Sequence, residues 1–233
     1  RRNTMLQAVS SLAQQRGAHA LRAGVDVLYN DDSITFPRAY RGSYAFSSLA
    51  NFLSGTYNNA GFSQNFGTTV VDQGNLNLGA YVQDDMRFGK LNVLAGLRYD
   101  TVKSSADSML NGARTTGLDG TDNAFSGSLG AIYEVSPLLR PYANYARAFR
   151  APGMRERYES GVRGDGYFYA GSPEVEAEKA DQFELGIKGA SSQFVYQVAG
   201  YHNRIENYLT GQILTGAAAT AACGAANASN CKK

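Results

Sequence analysis

The sequence predicts an all-β protein: a transmembrane antiparallel β-barrel, with about eight strands in this chain. Three observations carry that prediction. Apolar and polar residues alternate with a period of two in segment after segment, the pattern of a strand with one oily and one polar face. The connections between those segments alternate between tight turns and long loops, as in barrels with short periplasmic turns and long extracellular loops. A secreted β-sandwich has no reason to gather its long loops at one end. The composition agrees, because 26 Gly, 15 Tyr and 11 Phe with only 18% charged residues in 233 favour strands over helices. A net charge of +2 offers no dense basic face, so nucleic acid is not an expected partner. No run of apolar residues is long enough for a membrane-spanning helix.

Taken in order, residues 3 to 15 form the weakest strand candidate. Leu21, Ala23, Val25, Val27 and Tyr29 then make an oily face against Arg22, Gly24 and Asp26. Leu76, Leu78, Ala80 and Val82 repeat the pattern against Asn75, Asn77, Tyr81 and Gln83, and Leu91, Val93, Ala95, Leu97 and Tyr99 repeat it against Asn92, Arg98 and Asp100. Phe125, Leu129, Ala131 and Tyr133 oppose Ser126 and Ser128, and Phe183, Leu185 and Ile187 oppose Gln182, Glu184 and Lys188. Segments 140 to 149 and 194 to 207 are Tyr-rich strands whose faces the sequence does not assign. Tight turns fall at Arg16-Gly17, Gly89-Lys90, 136 to 139 and 190 to 193, and long loops near 31 to 73, 102 to 123, 151 to 180 and from 208 onward.

On this reading Leu76, Leu78, Leu91, Val93, Leu185 and Ile187 face lipid. Arg22, Asp26, Gln83, Asp85, Arg98, Asp100, Glu184 and Lys188 face a lumen that must be wet or plugged, because so many charges cannot sit in a dry core. Tyr29, Phe88, Tyr99 and Tyr133 are expected near strand ends as aromatic girdles, with Tyr81 turned inward.

Two blocks carry a family resemblance. Gly79 to Asp85, with Tyr81, Gln83 and Asp84, is followed by the strand ending Gly96-Leu97-Arg98-Tyr99-Asp100. Tyr142 to Arg147 leads into Ala148-Phe149-Arg150-Ala151-Pro152, and after a loop Ser172-Pro173-Glu174 precedes Phe183-Glu184-Leu185-Gly186-Ile187-Lys188. Together they resemble the barrel of TonB-dependent outer-membrane receptors. The resemblance covers about residues 74 to 207. It implies a 22-stranded barrel in the bacterial outer membrane, plugged by an N-terminal domain and energised through TonB, that imports scarce ligands. Residues 1–233 then read as a partial barrel domain, with the plug and the remaining strands lying outside this chain; an eight-stranded barrel complete in itself is the rival architecture.

The expected cargo is a metal chelate, a ferric siderophore first; haem, another small ligand or an oligosaccharide, and a passive structural barrel, are the alternatives. In haem-uptake members of that family a His lies between a Phe-Arg-Ala-Pro segment and an Asn-Pro segment. Here no His falls between 150 and 175, and His19 and His202 lie in strands, where a hydrogen-bonded wall role is the simpler reading. The loop after Pro152 concentrates Arg155, Arg157, Arg163, Tyr158, Tyr167, Phe168 and Tyr169, a set suited to an anionic, aromatic chelate through charge-assisted hydrogen bonds and stacking. Contact with lipopolysaccharide phosphates explains the same residues, and both readings stay open.

Leu49, Phe52 and Leu53 at helical spacing before Gly55 predict a short helix over the barrel mouth. The Ala-rich run 217 to 228 reads as disordered low complexity. Cys223 and Cys231, eight apart, read as a loop disulfide of an oxidising compartment, with no His or further Cys nearby for a metal. No catalytic constellation or cofactor motif is found: two scattered His anchor no triad, and Asp84 and Asp85 point to opposite faces of one strand.

Overall fold

The computed structural model describes residues 2–36, 41–57, 61–64, 69–107, 118–162 and 166–233, with only the backbone described for Phe36, Ser63, Thr69, Val70 and Val71. Eight strands form one sheet, each antiparallel to the next: β1 (Arg2–Arg16), β2 (His19–Phe36), β5 (Thr69–Phe88), β6 (Leu91–Ala106), β7 (Leu118–Tyr133), β8 (Arg140–Arg150), β11 (Glu178–Ala190) and β12 (Val195–Glu206). Sequence order equals spatial order, so this is an open meander whose edges are β1 and β12. The loop after β2 holds the two-residue strands β3 (Ser43–Tyr44) and β4 (Phe62–Ser63) around helix α1 (Leu49–Leu53). The loop after β8 holds α2 (Met154–Tyr158), β9 (Ser160–Val162) and β10 (Phe168–Ala170). After β12 come β13 (Ile213–Leu214), α3 (Gly216–Cys223), a 3-10 turn (Ala225–Asn230) and β14 (Cys231–Lys232).

The register gives each face its character. Directly paired residues share a face, so Val25 with Ala80, Val82 with Leu97, Tyr99 with Phe125 and Leu129 with Tyr145 fall on one side of the sheet. Tyr145 pairs in turn with Phe183, and Ile187 with Val198, on that same side. Val25, Val82, Leu97, Phe125, Leu129, Leu185 and Val198 are each about half exposed or more, a continuous apolar surface that suits lipid rather than water. The two Tyr-rich strands thereby acquire faces: Ala143, Tyr145 and Val198 point out, and Tyr142, Asn144 and Gln197 point in. At the short-turn end Gly17 and Gly89 adopt φ of +59° and +61°, the left-handed geometry of a two-residue turn that glycine reaches without strain.

Two expectations need correction. The strands at the long-loop end run further than the alternation suggested, to Phe36 and Ala106 and from Thr69 and Leu118. Tyr29, Tyr99 and Phe125 therefore stand seven residues short of their strand ends, and the wall rises ~16 Å beyond that aromatic level, taking a ~3.3 Å rise and about 45° of tilt. Above the girdle polar residues such as Asp31, Asp32, Ser104, Ser105 and Asp119 fall on both faces, so the period-two signal fades while the backbone ladder continues. The Ala-rich run is also not disordered. It forms α3 and the 3-10 turn, with Ala219 and Cys231 fully buried and Phe168, Leu214 and Ala228 packed around them. Helix α1 forms as the spacing predicts, with Ser48 capping Asn51 N–H, but Leu49, Phe52 and Leu53 remain exposed.

Candidate functional site

The inner face is organised by charged and aromatic side chains that cross glycines. Arg98 on β6 reaches over Gly79 on β5 to Asp26 on β2, at 2.6 Å, while also gripping Asp100 on its own strand. A Cβ on Gly79 would lie 1.9 Å from the guanidinium, so the bridge takes this path across position 79 because glycine has no side chain there. Tyr142 crosses Gly186 in the same way, donates to Glu184 and accepts from Gln197 at 2.8 Å. Tyr81 lies over Gly24. Motif residues Tyr81, Gln83, Arg98, Asp100, Glu184 and Gly186 therefore share the lumen wall. Tyr99 and Asp84 face outward, Tyr99 against Phe125 with ring centroids 4.8 Å apart and Asp84 bonded to His19 at 2.6 Å. His202 pairs with Phe183 on the outer face.

Above this wall the loop after β8 folds inward. Ala151, Pro152, Gly153 and Met154 line a cavity of about 240 Å³ with Asn30, Gln73, Asn75, Val102 and Ser104, all but Gly153 part-buried or buried in the inner surface. Met154 and Arg157 are 8% and 7% exposed, and beneath them Asp100, Val102, Ser104 and Ala106 are buried as well. Arg157 crosses Gly120 to reach Asp122 on β7 at 2.7 and 2.9 Å, an ion pair whose partners are 9% and 10% exposed. Tyr158 donates to the Asp119 carbonyl. Helix α2 is thus fastened to the lumen wall rather than held out in solvent.

Its other fastening is Arg150, the arginine of the Phe149-Arg150-Ala151-Pro152 segment. The guanidinium donates to Glu178 at the start of β11 and to both oxygens of Glu156 in α2. Glu156 also accepts from Gly153 N–H at 2.6 Å, and Glu178 from Leu209 N–H beyond β12. Partial burial works to raise the Glu156 carboxyl, but the Arg150 and Gly153 hydrogen bonds outweigh it and hold it below the usual carboxylate range. One arginine therefore ties the end of β8, helix α2 and the start of β11, and through Glu178 the following loop.

The two loops are further joined by a sheet of order β13-β14-β10-β9, in which Phe168 and Tyr169 pair with Cys231 and Lys232. Cys223 and Cys231 are disulfide-bonded with Cα atoms 5.9 Å apart, and the bridge packs on Phe168. Lys232 Nζ sits 3.8 Å from the Tyr167 ring centroid and bonds Tyr169 Oη at 3.1 Å. Of the residues expected to meet ligand, Arg157, Tyr158, Tyr167, Phe168 and Tyr169 are thus engaged within the protein, and Arg163 lies outside the described residues. Arg155 bonds Glu159 at 3.1 Å, yet its side chain remains 63% exposed. Pro173 and Glu174 are exposed. Sequence reasoning missed Asp122 and Glu178 as partners, because each is far along the chain from the arginine it holds.

Comparison with known proteins gives this geometry a lineage. Residues 3–229 match the family model described as TonB dependent receptor-like, beta-barrel. Hemoglobin-haptoglobin utilization protein B of Neisseria meningitidis is 28% identical over 124 residues, 49% of this chain and 15% of that protein. Among solved structures the copper transporter OprC superposes with a TM-score of 0.63 at 18% identity, covering 88% of this chain and 30% of that one. The FrpB iron transporter of Neisseria meningitidis gives 0.57 at 14%, covering 87% and 28%. The chain thus spans about a third or less of the relatives it matches. An open eight-stranded meander with a lipid-facing exterior, a charged interior and long loops at one end, matched by that family model along almost its whole length, belongs to the TonB-dependent receptor β-barrels of the bacterial outer membrane.

Proposed function

We propose that this chain is part of the wall and mouth of a receptor that imports a metal chelate, a ferric siderophore in the first instance, with energy delivered through TonB and a plug domain. The observation that supports the reading is the inward-folded loop after Pro152, whose residues Ala151 to Met154 line a cavity against the polar inner wall and lead directly into Arg155, 63% exposed on its side chain. An arginine there suits the anionic groups of a ferric chelate better than neutral sugars. The names of the similar proteins, a copper transporter, an iron transporter and a haemoglobin-haptoglobin utilization protein, support a metal-linked cargo. Haem is disfavoured as the cargo because the segment from 150 to 175 contains no His to ligate its iron.

Uptake of radiolabelled iron chelates, copper and haem by cells expressing the full-length receptor, with and without a protonophore, tests the proposal. Energy-dependent accumulation of a ferric chelate is the expected result. Energy-independent passage of every solute would replace the proposal with a passive barrel, and accumulation of haem or copper alone would reassign the cargo.

A further inference from the structure

The two loops that share the Arg150 and Glu178 contacts leave a cavity at their seam. It measures about 260 Å³ and is lined by Arg155, Glu159 and Ser172 from the first loop and by Leu209, Thr210 and Lys233 from the second. Drug-sized ligands occupy roughly 300 to 1,000 Å³, so this space suits a single ring-sized group. Its acids already have partners: Glu159 receives Arg155, and the neighbouring Glu156 receives Arg150. Arg155 retains donors toward solvent beyond the one given to Glu159, since a guanidinium carries five. Lys233 adds a second cation from the other loop, Thr210 adds a hydroxyl, and the Ser172 hydroxyl, which donates to Glu174, keeps its acceptor capacity.

From this lining we infer that the seam is a subsite for one acidic, ring-sized arm of the cargo, bound by both loops together. The inference rests on the chelate-import reading above and deepens it. Neither loop contains the site alone. Lys233 is placed by paired backbone hydrogen bonds with Gln212, at 2.7 and 2.9 Å, two residues after the Cys231 bridge to Cys223. The adjoining β14 lies along β10, so the disulfide sets where the second half of the site stands relative to the first. The bridge is a positioning element for binding, and its loss acts at a distance from the ligand.

The test uses the purified full-length receptor and salicylate as probe, with salicylamide as the uncharged control. Salicylate is expected to bind, salicylamide at least tenfold more weakly, and affinity should fall with added salt. Arg155→Ala and Lys233→Ala should each weaken salicylate at least fivefold, while Lys233→Arg restores it. The Cys223→Ser/Cys231→Ser double variant should match Lys233→Ala, in barrels verified as folded by heat-modifiable gel mobility. Failure of the wild type to bind salicylate, or equal binding by wild type and both alanine variants, overturns the subsite. Ferric-chelate uptake by the same Lys233→Ala receptor separates the two ideas. Unimpaired uptake with no salicylate site removes the seam and leaves chelate import standing, whereas absence of energised uptake in wild-type cells removes the import reading itself.

Discussion

The wall and the cap of this molecule are held together by different kinds of information. In the wall one rule repeats: alternate residues point to opposite faces, every strand pairs with its neighbour in the meander, and within the apolar band a short stretch of sequence betrays the pattern. In the cap no rule repeats. Its order comes from single contacts between distant residues, such as Arg157 with Asp122, Arg150 with Glu178 and Cys223 with Cys231. A wall built from many equivalent contacts tolerates loss of one, whereas a cap built from a few should come loose when a buried one is removed.

The largest effect should come from the cap's buried ion pair. Arg157→Ala leaves Asp122 in a site where both partners are about nine-tenths buried, and removing one member of such a pair costs ~3–5 kcal/mol. The loss should be local, read as hydrogen-exchange protection vanishing from residues 154 to 162 while β11 and β12 stay protected. If protection fell across the wall as well, the two regions would be one cooperative unit and the contrast would fail.

On the wall, Leu129 lies midway between the aromatic residues Phe125 and Tyr133 on the outer face. Leu129→Arg should cost ~2–4 kcal/mol, the range for an arginine at the bilayer midplane, measured by urea titration of folding into vesicles. Leu53→Arg, on the exposed helix α1, should be nearly silent. Equal costs at the two positions would mean that Leu129 does not meet lipid.

Gly79→Ala sharpens the comparison inside the wall. Its Cβ would displace Arg98 from Asp26 and Asp100, and with Arg98 about a third exposed the expected cost is ~1–2 kcal/mol. Gly200→Ala, with nothing within 4 Å of the added carbon, should be neutral or slightly stabilising by the same folding assay. A neutral Gly79→Ala would show that the Arg98 bridge is dispensable.

This division also explains what the sequence disclosed. Leu76, Leu97 and Leu185 announced their faces because each sits in a run of alternating neighbours, and the eight wall strands followed. The strand extensions beyond Tyr29 and Tyr99 were silent, since above the membrane a strand needs no apolar face. Arg157 reads from composition as a ligand-facing arginine, and its pairing with Asp122, 35 positions upstream, is a contact that composition cannot disclose. The Ala-rich run looked disordered because its buried residues are small, and only the bridge to Cys231 and the packing of Phe168 make a core of them.

The smallest expected effect is a pH dependence confined to the cap. Glu156 is held below its ordinary value of 4.5 by Arg150 and Gly153 against the opposing effect of partial burial. A carboxyl whose folded pKa is depressed stabilises the fold fully above its unfolded value, and that stabilisation disappears as pH falls through the lower folded value. Cap protection should therefore be flat from neutrality to about pH 5 and decline below the ordinary carboxylate range. Because the Glu156 side chain is 36% exposed, solvent screening keeps the change small. Glu156→Gln should flatten the acid decline of residues 154 to 158 without abolishing it, since Glu178 still holds the same guanidinium. Hydrogen exchange of both proteins between pH 3 and pH 7, corrected for intrinsic rates, gives the comparison. An identical acid decline in the Gln variant would place the titrating group elsewhere and leave Arg150 anchored by Glu178 alone.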